Sequence, residues 1–215
     1  FIFPDIQPDD IVMYGSFYAV HPVIRPQMFA FLEHAHRQGA ILYYDVNFRA
    51  SHANDVIKVT PNILENLEFA DIVRGSKEDF EVMFNKSDAD IVYRSQISFY
   101  CKNFIYTQGA EPLILKGVGG FSKGYPVAQT ETVSTIGAGD NFNAGFVYGL
   151  VKYGITREML EAGVAEDLWD KVVDDAQQFA TNVCQSINNS VDQTFADKKK
   201  RELEACLKEM EENNK

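Results

Sequence analysis

Cysteine is scarce in this chain, which carries it only at positions 101, 184 and 206. These three show neither metal-ligand spacing nor the even-numbered set of a disulfide framework. Cys101 and Cys184 fall within apolar patterns of helical spacing, which reads as reduced core thiols and fits a cytoplasmic location. His21, His34, His36 and His52 likewise lack metal or triad spacing. No apolar run reaches the length of a membrane-spanning helix and no signal-peptide pattern opens the sequence, so no membrane partner is expected. Positive charge is also in short supply: 20 Lys and Arg stand against 31 Asp and Glu, a formal net charge of −11. A nucleic-acid surface needs a basic face, so nucleic acid is not an expected partner either. Internal repeats, low-complexity tracts and Pro- or Ser-rich linkers are absent. The 215 residues, 46% hydrophobic and 24% charged, therefore read as a single α/β domain over residues 1–215. The sequence begins at Phe1, in what already reads as structured chain, and a fragment is the expectation.

Apolar runs and helical periods alternate along the chain. Asp10 to Gly15 reads as a buried strand, and Pro26 opens a helix with Phe29, Leu32 and His36 that Gly39 closes. Ala40 to Val46 reads as a second strand. Strand, helix, strand begins a parallel sheet. A short helix over Pro61–Leu67, a strand over Ala70–Gly75 and a helix capped by Ser76 follow. Tyr93, Ile97, Tyr100, Cys101 and Phe104 have helical spacing, yet Phe104 to Gly109 reads as the next strand and Leu113 to Lys116 as another. A hairpin through Gly124, Tyr125 and Pro126 comes next. Val164 to Ile187 reads as a long helix burying Ala176, Phe179, Ala180, Val183 and Ile187, with Trp169 as a packing residue. The last helix, Ala196 to Met210, turns Leu203, Leu207 and Met210 inward. The basic run Lys198-Lys199-Lys200-Arg201 at its start reads as a solvated face.

The chain is organised around Thr135-Ile136-Gly137-Ala138-Gly139-Asp140-Asn141-Phe142-Asn143-Ala144-Gly145-Phe146. A strand-like approach, Glu131 to Ser134, leads into two glycines, an acid and an apolar helical pattern through Phe142, Phe146 and Leu150. That places the glycines at a helix N-terminus, where open backbone N–H groups and the helix dipole favour an anion. Asp140 would repel a merely bound phosphate. It suits the base that takes a proton from an attacking hydroxyl during phosphoryl transfer. The same residues also read as a glycine-tolerant turn with an N-capping Asp, and the short pattern alone leaves both readings open.

Asp45-Val46-Asn47-Phe48-Arg49 ends the second strand, where open α/β sheets bind ligands; an Asx-type turn with an exposed Arg is the alternative. An Arg fork there could serve a carboxylate or a moving phosphoryl group. Ser76 and the acids after it are explained by helix capping. Arg74, Lys77, Lys116 and Lys123 are candidates for positive charge near an anionic nucleotide, each also readable as a solvated surface charge.

Residues 135–146 closely resemble the signature of the ribokinase-like, PfkB-type carbohydrate kinases, and the resemblance runs from about Asp10 to about Asn189. It implies a three-layer α/β/α fold with a mostly parallel central sheet, and ATP-dependent phosphorylation of a sugar or sugar-acid hydroxyl in the cytoplasm. In that family the two-glycine turn is an anion hole and its Asp the base, which implies those roles for Gly137, Ala138, Gly139 and Asp140. Many members carry Asp where this chain has Ser134, and that Asp helps bind a monovalent cation, so K⁺ activation is in doubt. Asp45-x-Asn47-x-Arg49 resembles the Asp-Pro-Asn-x-Arg motif of the fructokinase and ketodeoxygluconate kinase branches, which implies that Asn47 and Arg49 face the substrate. Ser76-x-x-Asp79 resembles a shortened Asn-x-x-Glu motif that organises Mg²⁺ and phosphates through water, implying a nucleotide contact for Ser76 and a water-mediated Mg²⁺ role for Asp79. Thr107-x-Gly109-Ala110 resembles the turn that lies along the nucleotide phosphates. Phe179, Ala180 and Val183 match positions that line the base pocket. The family's N-terminal Gly-Gly-Asn sugar motif and its β-sheet lid, often a dimer interface, are not visible. An incomplete sugar pocket is expected, and a homodimer through that lid is one arrangement the resemblance allows.

A carbohydrate kinase is the leading reading. A non-catalytic nucleotide-binding or regulatory module on the same fold is the alternative, favoured by Ser134 and the shortened Ser76-x-x-Asp79 and opposed by the intact Gly-Ala-Gly-Asp. No Gly-x-x-x-x-Gly-Lys-Ser/Thr occurs, which excludes a Walker-type kinase, and a dinucleotide-dependent oxidoreductase lacks its glycine fingerprint.

Overall fold

Strands β1 (Ile11–Gly15) and β2 (Ile41–Asp45) pair in parallel, and every residue of β2 is buried. A near-continuous apolar run such as Ile-Leu-Tyr-Tyr belongs inside a parallel sheet covered on both faces. The computed structural model describes residues 2–128 and 130–213. It divides into two compact units, Phe1–Pro126 with Thr156–Gly163 and Val127–Ile155 with Val164–Lys215.

The first unit holds a six-stranded sheet in the order β1-β2-β3-β4-β5-β6. Helices α1 (Ser16–Val20) and α2 (Arg25–Arg37) cross from β1 to β2, and α3 (Val56–Phe69) crosses to β3 (Ile72–Ser76). Helices α4 (Lys77–Phe84) and α5 (Ala89–Val92) lead to β4 (Asn103–Gln108), the last parallel strand. β5 (Glu111–Lys116) and β6 (Ser122–Tyr125) return antiparallel. This is a mixed, mostly parallel sheet flanked by helices. One face of it, with Leu42, Tyr44, Val73, Phe104 and Tyr106, packs into a core with Leu32, Val59, Ile63 and Phe80. Each such fully buried side chain stabilises the fold by about 1.5–3 kcal/mol against an exposed one. The short helix α7 (Arg157–Ala162) also belongs to this unit, tied in where Arg157 meets Asp71 at 3.2 Å and donates to the His36 carbonyl at 3.0 Å.

The second unit is built from α6 (Ala138–Lys152), α8 (Glu166–Cys184) and α9 (Gln193–Asn213). Glycines set how closely α6 and α8 approach. A Cβ on Gly145 would stand 2.8 Å from the Ala176 Cα, and one on Gly149 would stand 3.0 Å from the Val172 Cα. A buried ionic cluster joins the three helices. Asp175 takes Lys199 at 2.6 Å on one oxygen, and Lys152 at 3.2 Å with the Tyr153 hydroxyl at 2.9 Å on the other.

Several expectations are corrected. Glu131–Ser134 forms no strand; the N–H groups of Val133 and Ser134 donate to the Cys184 carbonyl instead. Pro61 lies inside α3, which starts at Val56, and the helix there goes without the N–H bond that a proline cannot give. Phe104 sits in β4, outside the helical stretch before it. α8 stops at Cys184, which leaves Ile187 82% exposed, and Leu207 is 38% exposed. Lys199 is no part of a solvated face, being 3% exposed. The short helices α1 and α7 had no signal strong enough to find them.

Candidate active site

Gly137 caps α6 with φ 81°, a left-handed conformation that glycine takes without strain. The first turn of the helix then consists of Ala138, Gly139 and Asp140. The Ala138 N–H is used by the turn, donating to the Thr135 carbonyl at 3.2 Å. The N–H groups of Gly137, Gly139 and Asp140 have no hydrogen-bond partner among the described residues. The open cradle thus includes the N–H of Asp140 itself and leaves out Ala138, a change from the expected set. The Asp140 side chain is exposed and makes no ion pair or hydrogen bond among the described residues. Asn141, which the sequence did not single out, holds the turn: its Nδ2 donates to the carbonyls of Gly137 and Asn189, each at 2.9 Å. Ser134 Oγ accepts the Ile136 N–H at 3.2 Å.

On α8 the expected base-pocket residues separate. Val183 is fully buried, while Phe179 is half-buried against Tyr148 and Phe195, with ring centroids 5.3 and 5.1 Å away. Ala180 is half-buried. A groove of about 300 Å³ runs along Gln178, Thr181, Asn182 and Gln185, beside Phe195.

In the first unit, functional candidates gather at the carboxyl ends of β2, β3 and β4. Arg74 is buried, with Nη1 on Asp45 Oδ1 at 3.0 Å and Nη2 donating to Thr107 Oγ1 at 2.9 Å. Burial opposes its charge, but Asp45, with Tyr43 and Asp79 behind it, holds the guanidinium above its ordinary pKa. Lys116 is buried as well, paired with Asp90 and donating to the Ser122 hydroxyl. Neither cation is the free phosphate ligand or the solvated charge expected of it. Lys77 is half-buried, and Lys123 lies over the Tyr125 ring at 5.3 Å. Gly109 has φ 65° with open space around it, and Ala110 beside it is exposed.

The turn after β2 is tightly held. Asn47 has φ 38°, uncommon for a residue other than glycine, and the Arg49 side chain is exposed with no hydrogen-bond or ion-pair partner among the described residues. Asp79, in the first turn of α4, is buried. Its Oδ1 accepts the Phe48 N–H at 2.7 Å, and its Oδ2 accepts the Ser76 N–H at 2.7 Å and the Ser76 hydroxyl at 2.8 Å. Ser76 Oγ in turn accepts the Asp79 N–H, completing a capping box. Both carboxylate oxygens are therefore engaged by protein donors, one on Oδ1 and two on Oδ2. Among the described residues no group of three or more His, Cys, Asp or Glu could hold a metal ion. Two further neighbours had no legible signal: Ser16, with φ 54°, and His52, stacked on Phe17 at 3.8 Å.

The sequence matches the pfkB family carbohydrate kinases over residues 2–206. Among curated proteins it is 25% identical over 133 residues to the 5-dehydro-2-deoxygluconokinase of Bacillus thuringiensis (strain Al Hakam), covering 60% of this chain and 40% of that protein. The chain thus spans about two-fifths of the length of such relatives. Among solved structures, aminoimidazole riboside kinase from Salmonella enterica superposes with a TM-score of 0.76 at 18% identity, covering 94% of this chain and 65% of that one. Fructokinase with bound ATP from Xylella fastidiosa gives 0.72 at 17% identity, covering 94% and 62%. No helix among the described residues is long and apolar enough to cross a membrane. With its sheet order, its glycine-capped α6 and a match over nearly its whole length, the chain belongs to the pfkB family of carbohydrate kinases.

Proposed function

We propose that the protein transfers the γ-phosphoryl group of ATP to a hydroxyl of a sugar or sugar acid, with Asp140 as the catalytic base. The observation that carries this reading is an exposed, unpaired carboxylate in the first turn of a helix whose leading N–H groups are open. Asp140 takes the proton of the attacking hydroxyl as its oxygen bonds to phosphorus and ADP departs. The N–H groups of Gly137, Gly139 and Asp140 stabilise charge gathering on the transferred group. Asn47 and Arg49 contact the sugar; an unpaired guanidinium suits the carboxylate of a sugar acid, the substrate class in the name of the 5-dehydro-2-deoxygluconokinase relatives. Thr107, Gly109 and Ala110 lie along the nucleotide phosphates, with Ser76 nearby on β3. Phe179 and Ala180 remain the base-contacting candidates on α8. ATP enters as its magnesium complex, and Asp79 is not offered as a ligand of that metal. An ATP-dependent reaction and three free cysteines fit the cytoplasm.

Asp140→Asn is the direct test. ADP release by the intact protein with fructose or 5-dehydro-2-deoxygluconate as acceptor is expected to fall at least about a hundredfold. An unchanged rate would exclude Asp140 as the base.

A further inference from the structure

The resemblance of Ser76-x-x-Asp79 to a metal-organising motif implies such an acid at the start of α4, yet Asp79 has its carboxylate engaged by the protein's own donors. Its side chain is buried, and three donors already use its two oxygens at 2.7 to 2.8 Å. One of those donors belongs to the turn after β2. The parallel ladder between β2 and β3 ends where the Val46 N–H donates to the Arg74 carbonyl at 2.8 Å. Asn47 then swings into positive φ, and the next N–H, that of Phe48, lands on Asp79. Asn tolerates a left-handed conformation better than most residues other than glycine, and what keeps it in one turn is the hold on its neighbours. Here the constraint comes from both sides: the ladder fixes residue 46, and a carboxylate fixes residue 48. The Phe48 ring is itself buried, so its N–H would otherwise be a buried donor without a partner.

We infer that Asp79 is a positioning residue for the sugar, not for the metal: it sets the backbone of Asn47-Phe48-Arg49 and through it the placement of the Asn47 and Arg49 side chains. This rests on the proposed role of those two residues. The same carboxylate caps α4 through Ser76, whose neighbour across the sheet is Thr107. The sugar turn and the start of α4 are thus held by one group.

Two variants test the inference, Asp79→Ala and Asp79→Leu, neither of which offers an acceptor; the second keeps this buried position filled in case the first does not fold. Hydrogen exchange at the Phe48 amide is expected to quicken about tenfold or more once its acceptor is gone. The KM for whichever of fructose and 5-dehydro-2-deoxygluconate supports turnover is expected to rise about tenfold, with the Mg²⁺ concentration for half-maximal rate unchanged. A higher Mg²⁺ requirement with an unaltered sugar KM would overturn the inference in favour of a metal role. Unaltered exchange at Phe48 would overturn it outright. Asp140→Asn, run alongside, separates the two ideas. If that variant keeps its turnover, the proposed chemistry fails, while the Phe48 exchange still decides what Asp79 holds.

Discussion

Replacing Lys199 by Met should cost this protein far more stability than replacing either neighbouring lysine. Lys199 and Asp175 have side chains only 4% and 3% exposed, and they meet at 2.6 Å. Asp175 Oδ2 keeps Lys152 and the Tyr153 hydroxyl in the variant, but among the described residues only Lys199 donates to Oδ1. The four charges of the cluster, Lys152, Lys199, Asp175 and Glu202, balance in the native protein. The variant leaves an excess negative charge in a buried setting. Removing one partner of a buried pair costs about 3–5 kcal/mol. The remaining Lys152 contact puts the expected loss at the lower end, about 3 kcal/mol. Lys198 and Lys200 lie beside it in the same basic run and are exposed, so Lys198→Met should stay within about 0.5 kcal/mol. The assay is urea unfolding, with the midpoint falling and the m-value constant. A Lys199→Met loss below about 0.5 kcal/mol would refute the reasoning, since it would mean that water reaches this cluster.

The pH dependence of stability carries a second signature. Burial pushes the Asp71 carboxyl up to about 6, although the Leu42 N–H and Arg157 favour its charged form. The folded state then holds this proton more tightly than the unfolded chain, so stability falls as pH rises from about 4 to about 6. The loss is at most about 3 kcal/mol. Asp71→Asn should flatten that slope in unfolding curves taken across the window, and a slope unchanged by the substitution would assign it elsewhere. Gly145→Val should destabilise by about 1–3 kcal/mol in the same unfolding assay, because the added atoms meet the Ala176 backbone. Wild-type stability there would contradict the close helix packing.

What the sequence made legible follows from how local each signal is. Strands such as Ile41–Asp45, buried on both faces, announce themselves as apolar runs, and Ser76 with Asp79 is a capping signature within four residues. The glycine pair before Asp140 could be placed at a helix start because φ at Gly137 needs no side chain. Contacts across long separations left no such trace. Nothing in the local pattern says that Asp79 reaches Phe48, that Asn141 clasps Asn189, or that one lysine of four basic residues turns inward to Asp175. Glu131–Ser134 has the β-branched look of a strand, but its two N–H groups go to a helix end and not to a sheet.

The buried Arg74 has a consequence for how a polyphosphate would be recognised. Because its guanidinium is already answered by Asp45 and Thr107, Arg74 itself offers little free charge to an incoming anion, and the exposed guanidinium beside these strand ends is that of Arg49. Under the proposed reaction, recognition along the end of β4 would fall to peptide dipoles and the Gly109 turn, whose short-range, oriented pull is scarcely screened by dissolved salt. In the proposed reaction a protein with a net charge of −11 would in this way take up an anionic cosubstrate with few lysines around it.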